Sequence, residues 1–111
     1  MRIKTQDYGD VTVVELQGEL DADFTDMFQN IITDIIGKHR SGIVLDMSNV
    51  GFIDSEGLEK LLWARDYCNE NKSQLRLAGL DENCREILKI TRIEKEFDNY
   101  SELAEAVKSF V

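Results

Sequence analysis

The sequence predicts an α/β fold: one mixed, mostly parallel sheet of four to five strands with about four helices, in the order β-β-α-β-α-β-α-β-α. Three observations predict it. After an opening hairpin, short β-branched runs alternate with stretches of helical periodicity, a pattern that calls for right-handed crossovers and parallel pairing. Ile43-Val44-Leu45 is an unbroken apolar run closed by Asp46, as expected of a strand covered on both faces. The 111 residues contain no proline and no Gly/Ser-rich linker, so residues 1–111 read as one domain around one core.

Arg2 to Asp7 is expected to form a first edge strand, with Tyr8-Gly9-Asp10 as the turn. Val11 to Leu16, β-branched or apolar at most positions, pairs with it as a hairpin and ends at Gln17-Gly18. Asp21 or Asp23 then caps a helix in which Phe24, Met27, Phe28, Ile31, Ile32, Ile35 and Ile36 recur at i, i+3, i+4. The segment Gly37 to Gly42 closes it, and the strand Ile43–Leu45 follows.

A loop leads to Phe52-Ile53, an apolar pair expected to anchor it. Asp54-Ser55-Glu56-Gly57 opens a second helix that runs to about Asn71 and carries Leu58, Leu61, Leu62, Ala64 and Cys68. Ser or Asp before such a run signals an N-cap, so Ser55 lies where backbone N–H groups point outward and the macrodipole is positive. An oxygen-rich group is stabilised there, a phosphate most of all. Gly57 falls in the first turn, where glycine is costly unless a neighbour approaches the backbone. Trp63 and Tyr67, at i and i+4, read as core-edge residues.

Gln74 to Ala78 is a short strand with alternating Leu75 and Leu77. Asp81 caps a third helix with Cys84, Ile87 and Leu88. A last strand is expected at Glu94 to Phe97. Asn99 or Ser101 caps a final helix bearing Leu103, Ala106, Val107 and Phe110, and Asn99-x-x-Glu102 has the spacing of a capping box.

The 22 acidic residues outnumber the 13 basic ones, for a net charge of −9. That argues against nucleic acid as the main partner and disfavours anionic membranes. It suits a basic or mixed protein surface, and equally serves solubility. No apolar run approaches a bilayer span, and Met-Arg-Ile-Lys-Thr-Gln at the start lacks the apolar core of a signal peptide, so the expected location is the cytoplasm. Cys68 and Cys84 stand outside any metal or redox spacing and read as buried free thiols.

No catalytic constellation stands out. Asp54-Ser55-Glu56-Gly57 is not a Gly-x-Ser-x-Gly elbow, and the single histidine, His39, falls at a helix end, where free carbonyls await it. No Gly-x-x-x-x-Gly-Lys loop and no metal-ligand spacing occurs, so neither cofactor nor metal is expected. A phospho-receiver with Asp46 as acceptor lacks the acidic pair that magnesium would need after the first strand.

Asp46-x-Ser48-x-Val50-x-Phe52-Ile53-Asp54-Ser55-x-Gly57-Leu58 resembles the signature of STAS domains, above all that of bacterial anti-sigma factor antagonists. Gly18-Glu19-Leu20-Asp21 resembles the family's second signature at the expected distance. The resemblance covers nearly the whole chain. It implies a non-enzymatic regulatory module that binds an anti-sigma factor with serine kinase activity and is opposed by a phosphatase. The family's phospho-acceptor position is Ser55. The resemblance makes Asp21, Asp54, Ser55, Glu56, Gly57 and Leu58 the expected partner-binding set. Where the family usually has a small residue after the acceptor, this chain has Glu56. That departure defines the alternative, a STAS scaffold or subunit that is never phosphorylated and whose surface is permanently acidic; an enzyme of unknown type is the remaining reading.

Overall fold

The computed structural model describes residues 1–110. Its spine is a pair of long parallel strands. The first strand, β1 (Arg2–Tyr8), turns at Gly9, whose φ of 62° suits glycine, into β2 (Val11–Leu20). A 3-10 turn (Ala22–Phe24) leads into α1 (Thr25–Gly37), and the chain re-enters the sheet as β3 (Gly42–Ile53). Then follow α2 (Ser55–Glu70), β4 (Gln74–Ala78), α3 (Glu82–Ile90), a 3-10 turn (Glu94–Glu96), β5 (Asp98–Tyr100) and α4 (Leu103–Lys108).

The strand order is β1-β2-β3-β4-β5, antiparallel between β1 and β2 and parallel thereafter. This is the expected α/β architecture and element order. Side chains alternate across the sheet and feed two cores. Val14, Leu16, Ile43, Leu45, Met47, Leu75 and Leu77 meet α1, α2 and α3 on one face. Val11, Val13, Val44 and Ala78 meet α4 on the other. Phe24 and Phe28, both fully buried with ring centroids 5.0 Å apart, fill the larger core. No helix among the described residues is long and apolar enough to cross a membrane.

Several boundaries differ from the sequence reading, each for a physical reason. β2 runs to Leu20, past Gln17-Gly18, and β3 runs through Asp46 to Ile53 where a loop was expected. The register explains the miss. Between the pairs Glu15–Asp46 and Gln17–Asn49, and again between Gly18–Val50 and Glu19–Phe52, β3 carries one residue more than β2. Two such bulges turn the alternation of buried residues into Met47, Val50, Ile53, a spacing of three. The expected last strand at Glu94–Phe97 is a 3-10 turn, and pairing begins at Asp98. β5 is a polar edge strand with no apolar alternation to reveal it.

Neither Asn99 nor Ser101 caps α4. Its N-cap is Glu102, without a side-chain cap, and Asn99 Nδ2 instead donates to the carbonyls of Glu94 and Phe97 at 3.4 Å each. At the end of α1 the backbone N–H of His39 donates to the Ile36 carbonyl at 3.0 Å, and His39 takes a left-handed φ of 59°. The imidazole was expected to serve those carbonyls; the main chain does so.

Candidate functional site

The carboxyl ends of β2 and β3 lie side by side, because Leu20 and Ile53 are paired in the sheet. The next residue on each strand is an aspartate. Asp21 Oδ1 accepts the Asp23 N–H at 3.0 Å and caps the 3-10 turn; of the two candidate caps, Asp21 takes the role. Asp54 Oδ1 accepts the Gly57 N–H at 2.9 Å and is the N-cap of α2. The Asp54 N–H donates back to the Leu20 carbonyl at 3.1 Å, which ties the two strand ends together.

Ser55 is therefore the first residue inside α2, exposed and free of any capping duty. The opening amides are shared out unevenly. Gly57 N–H goes to the Asp54 carboxylate and Leu58 N–H to the Asp54 carbonyl at 2.9 Å. The Ser55 and Glu56 amides have no partner among the described residues, so two donors face outward beside the Ser55 hydroxyl.

Gly57 is buried, and a Cβ there would collide with the Leu20 carbonyl oxygen. The close neighbour foreseen for this glycine is thus the chain's own β2. Leu58, also buried, packs in the core beneath the turn. Asp21 and Asp54 are partly exposed and Glu56 is exposed. The structure brings all six expected residues to one edge, with Gly57 and Leu58 supporting the surface that the other four form. Ile53 anchors the approach, being 2% exposed, whereas Phe52 is 45% exposed and points away from the anchoring role expected of it.

The sequence reading missed a shallow groove beside this edge, lined by Thr25, Glu56, Glu59, Lys60 and Trp63. Its α2 members recur at i, i+3, i+4 and i+7, so one face of the helix was the signal. Lys60 Nζ donates to Gln29 Oε1 at 2.6 Å and lies 4.9 Å from the Trp63 ring centre. Trp63 stacks on Tyr67 at 5.1 Å, and both pack against the larger core as edge residues. Acidic residues dominate the surroundings: Glu19 on the strand end, Asp23 and Asp26 in the turns that open the first helix, and Glu59 in the second turn of α2 are all exposed.

His39 lies at the opposite end of β3 from Ser55 and cannot act as its base. Asp46 is a mid-strand residue that accepts the Ser48 N–H at 3.1 Å and hydroxyl at 2.8 Å. Cys68 and Cys84 are fully buried free thiols, pushed from an ordinary 9.0 up to about 12, Cys68 by burial and Cys84 by burial reinforced by the Asp81 carboxylate.

The sequence model of the STAS domain matches residues 2–106. A STAS-domain-containing protein of Pseudomonas aeruginosa is 30% identical over 93 residues, 80% of this chain and 87% of that protein. Among solved structures, an anti-sigma factor antagonist of Mycobacterium paratuberculosis matches with a TM-score of 0.86 at 22% identity, over 97% of this chain and 92% of its own. The anti-sigma factor antagonist SpoIIAA in its unphosphorylated form matches with a TM-score of 0.83 at 16% identity, over 98% of this chain and 96% of its own. The phosphorylated form of this Bacillus cell fate determinant matches at 0.76 and 16% identity, over 99% of this chain and 100% of its own. At these identities the structural likeness is one of fold.

Proposed function

The chain belongs to the STAS domain family, and from that premise we propose that it is a regulatory binding module of the anti-sigma factor antagonist type, switched by phosphate on Ser55. One observation carries the reading: Ser55 is exposed at the first position of a 16-residue helix whose capping is done by Asp54. Its hydroxyl is free to accept a phosphoryl group. The partner is an anti-sigma factor that holds ATP and acts as the kinase, with a phosphatase opposing it. This chain supplies only the accepting hydroxyl.

Phosphate adds roughly −1.5 to −2 charges. Locally the α2 N-terminus favours that charge through its open amides and the macrodipole. Toward a partner the balance is opposite, because the new charge joins Asp21, Asp54 and Glu56 on one docking surface. The switch therefore acts on binding and leaves the fold in place. Unphosphorylated protein holds the anti-sigma factor and frees the sigma factor; phosphorylated protein lets go.

The test is a titration against the anti-sigma factor recovered from the native host. Ser55→Ala is expected to bind like unmodified protein, and Ser55→Asp more weakly by about tenfold or more, equivalent to about 1.4 kcal/mol. Equal affinities would remove the switch.

A second reading rests on Glu56, which is exposed in the first turn of α2 beside the acceptor. A permanent carboxylate there makes a constitutively acidic scaffold with no kinase in its cycle. Glu56→Ser separates the two. It speeds phosphorylation of Ser55 in the switched module by removing repulsion toward ATP, whereas in the scaffold Ser55 stays unmodified and only the acidic surface loses one charge.

A further inference from the structure

In a chain of net charge −9, four of the 13 cations fall between Arg85 and Lys95. Arg85, Lys89 and Arg92 are spaced i, i+4, i+7 along α3 and its C-terminal end, and Lys95 follows on the 3-10 turn. All four are exposed. None enters an ion pair among the described residues, where Arg40, Arg65 and Arg76 take the carboxylate partners.

The same cations line two adjoining hollows of about 340 and 270 Å³ that share Glu94. Arg85 borders the first, whose floor is the apolar pair Leu80 and Leu88. Lys89, Arg92 and Lys95 border the second. Ile90, 76% exposed, stands on the same last turn of α3.

We propose that this groove, between α3 and residues 94–101, docks a short acidic segment of a protein partner with an apolar residue set among its carboxylates. Charge complementarity and the apolar floor select that occupant. A membrane or a nucleic acid is a continuous polyanion, and beyond this small patch it would meet the acidic remainder of the molecule; a short segment does not. None of the residues of the Ser55 edge lines the groove, so the two surfaces can be occupied independently.

The experiment follows the isotope-labelled full chain by NMR as a short peptide of alternating Glu and Leu is added. The expected result is a set of shifts confined to Arg85, Leu88, Lys89, Arg92 and Lys95, with tighter binding than a Glu/Ser peptide and weakening in salt. Joint reversal in Arg85→Glu, Lys89→Glu and Arg92→Glu should weaken binding at least about tenfold. Lys95→Glu, off the helix, provides the same reading if the triple variant fails to fold. The proposal is overturned if shifts are absent or lie elsewhere, or if the variants or the Glu/Ser peptide bind equally well. It is also overturned if anionic vesicles, an oligonucleotide or a second copy of the chain occupies these residues more tightly than the peptide.

Discussion

Three residues decide how the Ser55 edge is held. Asp54 caps α2, Leu20 offers the carbonyl that joins the strand ends, and Gly57 leaves room for it. At Gly57 two effects oppose one another. Alanine favours a helix by about 1 kcal/mol over glycine. Here its methyl would drive into a main-chain carbonyl that is itself fixed by the Asp54 N–H, and overpacking of that kind costs about 1–3 kcal/mol. The clash wins because neither strand end can yield. Gly57→Ala is therefore expected to lower stability by up to about 2 kcal/mol, read as a lower urea midpoint; an unchanged midpoint would show that the turn is loose. Asp54→Ala removes the cap and should cost about 1 kcal/mol, whereas Asp54→Asn, which keeps an acceptor for the Gly57 N–H, should cost less. Denaturation of the two variants side by side checks the order. The role of Gly57 was legible in the sequence, as a glycine with no excuse in a first helical turn. That its neighbour is Leu20 was not, because only the pairing of β2 with β3 brings them together.

At the scale of elements, the two helical layers are held with unequal force. α1, α2 and α3 share the larger core, while α4 has six residues, no side-chain cap and a core of its own built on Ala106. Phe110 lies over Gly42, leaving no room for a Cβ there, and Arg76 stacks on the Phe110 ring at 4.0 Å. Gly42→Ala meets a movable ring where Gly57→Ala meets backbone. It should thus loosen α4 without unfolding the sheet: faster amide exchange over Leu103–Lys108, and a smaller loss of global stability than in Gly57→Ala. Exchange rates equal to those of the unmodified protein would contradict this. The elements most readable in the sequence, α1 and the start of β3, bury a regular stripe or an unbroken run. Those least readable were shaped by tertiary context. The bulges of β3 hid its second half, and β5 pairs on one side only, so neither shows the period of a strand. The unpaired cations of α3 were visible in the sequence as residues, but the groove they line needed the 94–101 segment in place.

For the whole molecule, the two buried thiols give the core a pH dependence of its own. Burial pushes the Cys68 and Cys84 thiols from an ordinary 9.0 up to about 12 in the folded chain. A folded value above the unfolded one means that stability is full below about pH 9 and declines as pH rises toward 12, because the unfolded chain gives up those protons first. Melting curves across that range should fall, and Cys68→Ala or Cys84→Ala should flatten the fall. In the native state both thiols should resist a water-soluble disulfide reagent near neutral pH, with reaction waiting on unfolding. A well-packed domain of this kind, with a free hydroxyl at one helix start, is suited to a switch that alters affinity alone. The most direct measurement is mass spectrometry of the tagged protein purified from its native host in the presence of phosphatase inhibitors, with the partner-bound and partner-free fractions kept apart. The switch predicts a co-purifying anti-sigma factor with an ATP-binding kinase domain, Ser55 phosphate in the partner-free fraction, and unmodified Ser55 in the bound one. An unmodified Ser55 in both fractions, or phosphate spread equally between them, would contradict it.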